Sequence, residues 1–433
     1  MRVFYQTFGC KANQYDTERM RQEVEARGTC TTDDRTGADV VVVNTCTVTN
    51  QADAESRRFI RRVRRANPRA RVVVAGCSAA LRPAEYEAMP GVSGVVGGHD
   101  PVAVAEQVAR PAGPVPPGAE RPLVQLRLGA SLDRIHSEPV GAELLRERRG
   151  GARGWLKVQD GCDRKCSFCA TRLARGASRS RPPETIVEEA RVMARAHAEL
   201  VVTGIHIGHY GRDLEPRWTL GRLVARLLDR VPDVRLRLGS VEATEVDDLL
   251  LDLLATSGGA LVPHLHMPLQ SGSDAVLRGM RRWHTREQYR RRALEIAERV
   301  SPLGLGADVI AGFPGETAAH HAETRALIEE LPFTYLHVFP FSPRSGTAAA
   351  DRNDPVPQRV AGERARDLRE LGTAKGRAYR ERRRGATASA VREGDGSSGL
   401  TGDYLRVGLG GGAERVVRGT LRGEPDHLYI ASP

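Results

Sequence analysis

Asp160-Gly-Cys162-Asp-Arg-Lys-Cys166-Ser-Phe-Cys169 follows directly on a strand-like run, Trp155–Gln159, and offers three thiols from one loop. The Cys-x3-Cys-x2-Cys spacing is one ligand short of a closed tetrahedral metal site. Zinc sites usually join Cys-x2-Cys to a second such pair or to His, and no second pair lies nearby. Iron–sulfur clusters are also held by Cys thiolates, and a cubane with three protein ligands keeps one iron open to a small molecule. The spacing therefore favours an open cluster over a zinc knuckle.

Working outward, strand-like segments recur at Leu200–Thr203, Val234–Leu238, Val262–Met267, Gly306–Ile310 and Tyr335–Phe339. Helical patterns separate them, including Pro183–His197 and Leu220–Arg230. With Trp155–Gln159 they make six βα repeats, spaced 28 to 45 residues start to start. That predicts an α/β chain whose centre is an open, TIM-like (βα)6 barrel, with functional groups at the carboxyl ends of its strands. Thr203, Gly204, Ser240, Glu242, Gln270 and Asp308 stand at those ends and are the candidate cofactor contacts. The competing reading is that several of them cap helices or turns. Glu242 and Gln270 suit the site best, because a sugar hydroxyl or an amine needs such acceptors. Gly312-Phe-Pro-Gly-Glu reads as a tight turn at the pocket rim. No Gly-x-Gly-x-x-Gly joins a strand to a helix, so a dinucleotide fold is not supported.

The first hundred residues alternate short strands with helices, the latter over roughly 14–27 and Ala52 to Ala66. Val3-Phe-Tyr-Gln-Thr-Phe-Gly leads to Cys10, Val40-Val-Val-Val-Asn-Thr to Cys46, and Arg71-Val-Val-Val-Ala-Gly to Cys77. β-branched runs followed by helices predict a parallel sheet, and in such sheets the loops at the carboxyl ends gather on one edge. Three Cys just past three strands should therefore converge, although 31 to 36 residues separate them. Convergent ligation of a second cluster explains this better than three unrelated thiols. Cys30 falls outside the pattern and reads as an ordinary thiol.

Pro111 to Pro122 is a Pro/Gly-rich stretch that predicts a stiff linker. The expected domains are 1–110, a linker over 111–147, a core over 148–375 and a small domain over 376–433. A long Arg/Glu helix, Gln358 to Arg384, leads into that last domain. Short strands at Ala386–Val391, Tyr404–Leu409, Arg415–Leu421 and His427–Ala431, parted by Gly-rich turns, predict a small all-β barrel. Such barrels bind RNA through a basic face. Arg392, Arg406, Arg415, Arg418 and Arg422 would supply it here, unless they form a solvated surface. A net charge of +11 and a pI near 9.7 suit a polyanionic partner. Seven Cys argue for metal or redox use rather than disulfides. The apolar runs are strand-length, far below a membrane span, and no leader precedes the first strand. A cytoplasmic protein without a membrane partner is expected.

At this point the chain resembles the methylthiotransferase family of radical S-adenosylmethionine (SAM) enzymes. The Cys triplet with Phe168 carries the radical SAM signature. Further matches are Thr7-Phe-Gly-Cys-Lys-Ala-Asn-Gln-Tyr-Asp-Thr-Glu, Asn44-Thr-Cys-Thr-Val-Thr-Asn and Ala75-Gly-Cys-Ser. Arg175-Gly-Ala-Ser-Arg-Ser-Arg, Thr203-Gly-Ile-His-Ile-Gly-His-Tyr-Gly and His264-Leu-His-Met-Pro-Leu-Gln-Ser-Gly-Ser extend them over nearly the full length. The resemblance implies an N-terminal cluster domain, a radical SAM barrel and a C-terminal TRAM barrel. It implies two 4Fe-4S clusters, Cys162, Cys166 and Cys169 holding the one that binds SAM, and Cys10, Cys46 and Cys77 the auxiliary one. Two positions depart from the family pattern. Ala170-Thr-Arg-Leu stands where relatives usually have two aliphatic residues and a Pro, and Gly98-His99-Asp100 where many have an Asn.

Within the family, Asn44-Thr-Cys-Thr-Val-Thr-Asn-Gln-Ala-Asp-Ala-Glu-Ser-Arg and Gly399-Leu-Thr-Gly-Asp-Tyr-Leu-Arg-Val look most like the branch acting on N6-threonylcarbamoyladenosine. The implied reaction adds a methylthio group to carbon 2 of that base at tRNA position 37, in the anticodon loop. One cluster generates the radical, the other carries the sulfur, and a second SAM gives the methyl. No side-chain acid–base pair is expected to carry the chemistry. An electron donor and a sulfur source of unknown identity are implied partners, and a monomer is the expected state. The alternatives are isopentenyladenosine in tRNA or an aspartate of a ribosomal protein. An RNA-binding protein with structural or sensory clusters is a different class, disfavoured by the open ligand count.

Overall fold

The computed structural model describes residues 1–110 and 144–431. The predicted linker over Pro111–Pro122, and most of 111–147, lies outside the described residues. The chain divides into two compact units: the described part of Met1–Leu145 with Asp160–Arg164 and Cys169–Arg179, and the described part of Arg146–Gln159, Lys165–Phe168 and Ser180–Pro433.

In the first unit the elements run β1 (Arg2–Thr7), α1 (Lys11–Ala26), β2 (Cys30–Thr31), β3 (Val40–Thr45), α2 (Asn50–Ala66), β4 (Arg71–Gly76), α3 (Cys77–Leu81), α4 (Pro83–Glu87), β5 (Val92–Val95) and α5 (Pro101–Ala109). The five strands form one parallel sheet in the order β2-β1-β3-β4-β5. The unbroken valine run of β3 follows from burial on both faces, as parallel sheets require. Val41 and Val43 pack with Phe59, Ile60 and Val63 of α2, while Val40 and Val42 meet Met20 and Val24 of α1 and Val104 of α5. Registers Thr7↔Asn44, Asn44↔Ala75 and Thr45↔Gly76 bring three carboxyl ends level. Cys30 opens β2 at the other end, paired with Arg2, and is exposed.

The chain continues through β6 (Arg153–Lys157), β7 (Gln159–Asp160), α6 (Thr171–Arg175), β8 (Arg179–Ser180), α7 (Pro183–Ala194), β9 (Glu199–Thr203), α8 (Leu220–Arg230), β10 (Arg235–Leu238), α9 (Asp248–Thr256) and β11 (His264–His266). Then come α10 (Asp274–Gly279), α11 (Arg286–Arg299), β12 (Gly304–Ala311), α12 (Ala318–Glu330), β13 (Tyr335–Pro340) and α13 (Gln358–Arg383). In the second unit β6, β9 and β10 form one parallel sheet and β11, β12 and β13 another. Single bridges, Leu236↔Leu261 and Ser240↔His266, link the two. Among the described residues β6 and β13 do not pair, so the predicted six-strand barrel is open. β11 is shorter than Val262–Met267 because the His264 amide turns back to the Val262 carbonyl (2.7 Å) and Pro263 has no amide to give. Gly306 admits Tyr335 into the barrel, since a Cβ there would lie 2.0 Å from the ring.

β14 (Thr387–Glu393), β15 (Ser398–Thr401), β16 (Arg406–Leu409), β17 (Val416–Arg422) and β18 (Tyr429–Ala431) close into a small barrel, ordered β14-β15-β16-β18-β17. Its core holds Ala390, Leu405, Val407, Leu421 and Ile430. Of the five arginines expected on a basic face, two are engaged by backbone carbonyls. Arg392 is taken up by carbonyls of Glu414, Gly396 and Gly410, and Arg415 donates to the Arg195 carbonyl. Arg406, Arg418 and Arg422 are exposed.

This barrel is keyed to the amino ends of the central strands. Arg235 donates to Ser389 and the Leu400 carbonyl, and Arg237 to the carbonyls of Thr401 (2.8 Å) and Gly402 (3.0 Å). Both arginines converge on Glu199. Burial alone would raise the Glu199 carboxyl, but Arg237 and Arg235 hold it below its ordinary range. Glu199→Ala leaves two buried guanidiniums without their carboxylate, and breaking a buried pair costs about 3–5 kcal/mol. Urea unfolding followed by Trp155 fluorescence should show a loss of that size; a loss under about 1 kcal/mol would contradict the arrangement.

Candidate functional site

In the first unit, Cys10 caps α1, Cys46 follows β3 and Cys77 opens α3, directly after β4. The three thiols converge as the strand pattern predicts. The Sγ atoms of Cys10 and Cys77 face one acceptor, Asn13 Oδ1, at 3.9 and 3.8 Å. Burial pushes the Cys46 thiol up to about 12 and Cys77 up to about 11. The neighbouring thiols raise them further, and Arg175 opposes the rise at Cys77. Glycine makes the pocket possible. A Cβ on Gly9 would fall 2.7 Å from Cys46 Sγ, and one on Gly76 (φ +99°) would overlap Asn44 and Thr45.

Polar residues of α1 line the pocket because Asn13, Asp16 and Thr17 lie three and four positions apart, on one helix face. Asn13 Nδ2 donates to the carbonyls of Phe8 and Thr45, both at 2.9 Å, which ties the loops after β1 and β3 together. Asn44 Nδ2 donates to the Asn13 carbonyl (2.8 Å) and to Thr17. Arg175, buried, completes the ring. It donates to both oxygens of Asp160 (2.8 and 3.0 Å), to Asp16 Oδ2 (2.8 Å), to Asn13 Oδ1 (2.6 Å) and from Nε to Cys77 Sγ (3.4 Å). His99, the departure noted in the sequence, sets Nε2 3.4 Å from Cys77 Sγ and Nδ1 3.3 Å from Asp16. Arg175 thus brings a donor to the sulfur, and His99 a ring nitrogen. Sequence reading quoted the motifs that hold Asn13, Asp16 and Arg175 but gave these residues no role.

Of the second Cys group, Cys162 and Cys169 belong to the first unit. The Cys162 amide donates to the Gly176 carbonyl (3.1 Å), and Cys169 Sγ accepts from the Thr171 amide (3.4 Å). A Cβ on Gly161 would collide with the Ala177 carbonyl, so this loop is tight. Cys166 belongs to the second unit, where Arg282 Nη1 lies 3.6 Å from its Sγ. No cysteine is in a disulfide.

The six strand-end candidates all lie in the second unit but differ in what they can still do. Thr203 ends β9, buried, its carbonyl taken by the Val158 amide. Gly204 follows, packed so closely on Gln159 that a Cβ would lie 2.7 Å from its carbonyl oxygen. Ser240 is exposed after β10. Gln270 sits in the left-handed region (φ 67°) and its backbone bonds Asp308 and Ile310, so the strain fixes this corner. Glu242 is buried and paired to Arg282. Burial raises its carboxyl and Arg282 opposes that, with a net rise. Asp308 is held by His266 (3.1 Å) and His337 (3.3 Å). Arg282, which joins Glu242 to Cys166 and stacks on Trp283 (4.1 Å), was missed because its partners lie 40 and 116 residues away.

Residues 2–97 match the uncharacterized protein family UPF0004, and residues 156–328 match the radical SAM superfamily. The chain is 39% identical to the threonylcarbamoyladenosine tRNA methylthiotransferase MtaB of Bacillus subtilis, over 84% of this chain and 79% of that one. The MtaB of Aquifex aeolicus is 33% identical over 90% and 92%. A tRNA-2-methylthio-N(6)-dimethylallyladenosine synthase of Bacillus subtilis is 32% identical over 86% and 72%. The fold is also that of the radical SAM methyltransferase TsrM of Kitasatospora setae, with a TM-score of 0.56 at 19% identity, over 81% of this chain and 77% of that one. The chain belongs to the radical SAM methylthiotransferase family, with the relatives named threonylcarbamoyladenosine tRNA methylthiotransferases.

Beside Glu242 lies His284, whose imidazole burial and Arg282 push down from 6.5 to about 4. The unfolded chain binds that proton near 6.5 and the folded one resists until about 4. Stability is therefore full above that range and falls as the pH drops through it, by about 2 kcal/mol at pH 5. Urea midpoints at pH 7 and pH 5 should show this slope in the wild type and a shallower one in His284→Gln. Equal slopes would contradict the buried neutral imidazole.

Proposed function

We propose that this protein is a cytoplasmic, monomeric methylthiotransferase that adds a methylthio group to carbon 2 of N6-threonylcarbamoyladenosine at position 37 of tRNA. The observation that carries the reading is identity of 33–39% with relatives of that name over more than four-fifths of the chain. Cys162, Cys166 and Cys169 would hold the cluster that binds SAM, and Cys10, Cys46 and Cys77 a second 4Fe-4S cluster. The residues fit these groups: each set offers three thiols, one short of closing a tetrahedral site, and a buried guanidinium stands beside one thiol of each, Arg175 at Cys77 and Arg282 at Cys166. When bound, the clusters and SAM supply the radical and sulfur chemistry.

The chain's own task is positioning. Arg175 donates toward sulfur and so stabilises thiolate over thiol in a pocket where burial alone favours the neutral form. Thr203, Gly204, Ser240, Glu242 and Gln270 would border SAM at the carboxyl ends of β9, β10 and β11. Glu242, tied to Arg282, serves there as an oriented acceptor rather than a mobile base. The open side of the barrel admits a base from an anticodon loop, and exposed loop bases are what sequence-specific RNA recognition targets. The proposed domains are a cluster domain over 1–110, a radical SAM core over 148–375 and a TRAM domain over 376–433. An electron donor and a sulfur source complete the reaction.

The test is anaerobic reconstitution with reductant and SAM, then incubation with tRNA bearing threonylcarbamoyladenosine, tRNA bearing isopentenyladenosine, or ribosomal protein. Mass spectrometry of digested nucleosides should show a methylthio gain on the threonylcarbamoyl nucleoside. Gain only on the isopentenyl nucleoside, or only on the protein's aspartate, would overturn the substrate.

A further inference from the structure

Alternate residues of a strand share a face, so Tyr335, His337 and Phe339 of β13 form one row. Leu336 and Val338 turn the other way, where Leu336 lies against Gly372 of α13 and Arg369 donates to the Val338 carbonyl. The row therefore faces the barrel interior. Its inner member, Tyr335, is tied down, with its hydroxyl 2.8 Å from His264 Nε2 and 3.1 Å from His266 Nδ1. Toward the carboxyl end the row opens to solvent: the His337 side chain is about half exposed, and Phe339 is 41% exposed.

Asp308 pairs in register with His337 on the neighbouring strand. Its Oδ1 accepts from His337 Nδ1 at 3.3 Å and from His266 Nε2 at 3.1 Å. Burial works to raise this carboxyl, yet the hydrogen bonds from His266 and His337 hold it well below the usual carboxylate range. The aspartate thus stays ionised and turns the His337 ring with Nδ1–H inward. Nε2 is left on the outer side, with no protein partner among the described residues. Beside it lies the bare face of a phenyl ring, a stacking platform for a base.

We propose that Phe339 and His337 form the subsite for the modified base, Phe339 stacking on the adenine and His337, taking up a proton at Nε2 as the ligand binds, donating from it to the carboxylate of the threonylcarbamoyl substituent. This rests on the substrate reading above. Asp308 and His266 are then positioning residues for His337, rather than contacts to SAM. A charge-assisted hydrogen bond of this kind distinguishes an anionic substituent from an apolar isopentenyl group, which has nothing to accept it.

The experiment is fluorescence-anisotropy titration of the reconstituted holoenzyme with anticodon stem-loops carrying threonylcarbamoyladenosine or plain adenosine at position 37. The wild type should prefer the modified loop by about tenfold or more. His337→Ala should bring the two affinities to within about twofold of each other, with an unchanged circular-dichroism spectrum reporting an intact fold. Phe339→Ala should weaken both loops alike. A His337→Ala protein that keeps the wild-type preference overturns the subsite while the substrate reading stands. A wild type with no preference overturns the substrate reading, and the subsite with it. A wild-type preference abolished by EDTA would make His266, Asp308 and His337 a cation site and also overturn the carboxylate assignment.

Discussion

The Arg175 guanidinium, shut away from water, satisfies Asp160, Asp16 and Asn13 together and still reaches the sulfur of Cys77. Two buried carboxylates could not sit so close to a thiol site without it, since an uncompensated buried charge costs several kcal/mol. The same contacts bind the segment after the Cys triplet and the residue before it to α1, so Asp160–Arg164 and Cys169–Arg179 pack with the N-terminal sheet. Fold and site are thus joined in one interaction: whatever holds Arg175 also holds the pocket of Cys10, Cys46 and Cys77.

A parallel arrangement recurs in the second unit. Arg282 is buried between Glu242 and Cys166 and lies over the Trp283 ring. Further down the strands Arg237 and Arg235 share Glu199 and hold the small C-terminal barrel against the amino ends. Tyr404 reaches from that barrel to stack on His264 (4.2 Å) and Tyr335 (4.9 Å), closing the floor of the interior. The carboxyl ends are left open for ligands, as open α/β architectures commonly arrange.

Much of this was legible in the chain. The valine runs before Cys10, Cys46 and Cys77, and the spacing of the six βα repeats, report periodicities that sterics and burial impose directly. The missed residues are those whose meaning depends on partners far along the chain: Arg175 reaches Asp16 and Asn13 across about 160 positions. Ser398–Thr401 was missed as a strand because Ser397-Ser398-Gly399 carries turn composition, and only pairing in a closed barrel makes it extended. Asp308 was visible as a candidate carboxylate, though it lies within β12 rather than at its end, and the two imidazoles that occupy it were not, because β13 contributes His337 through register rather than through any local motif.

The central claim is that two separate groups of three cysteines each carry an open cluster. Iron and sulfide content, with Mössbauer and EPR spectra before and after SAM, should be measured on reconstituted wild type and on Cys10→Ala/Cys46→Ala/Cys77→Ala and Cys162→Ala/Cys166→Ala/Cys169→Ala. The account predicts about eight irons per wild-type chain and about four in each triple variant, with SAM perturbing only the protein that keeps Cys162, Cys166 and Cys169. A wild type with about four irons, or a triple variant that loses all of them while remaining folded, would contradict it.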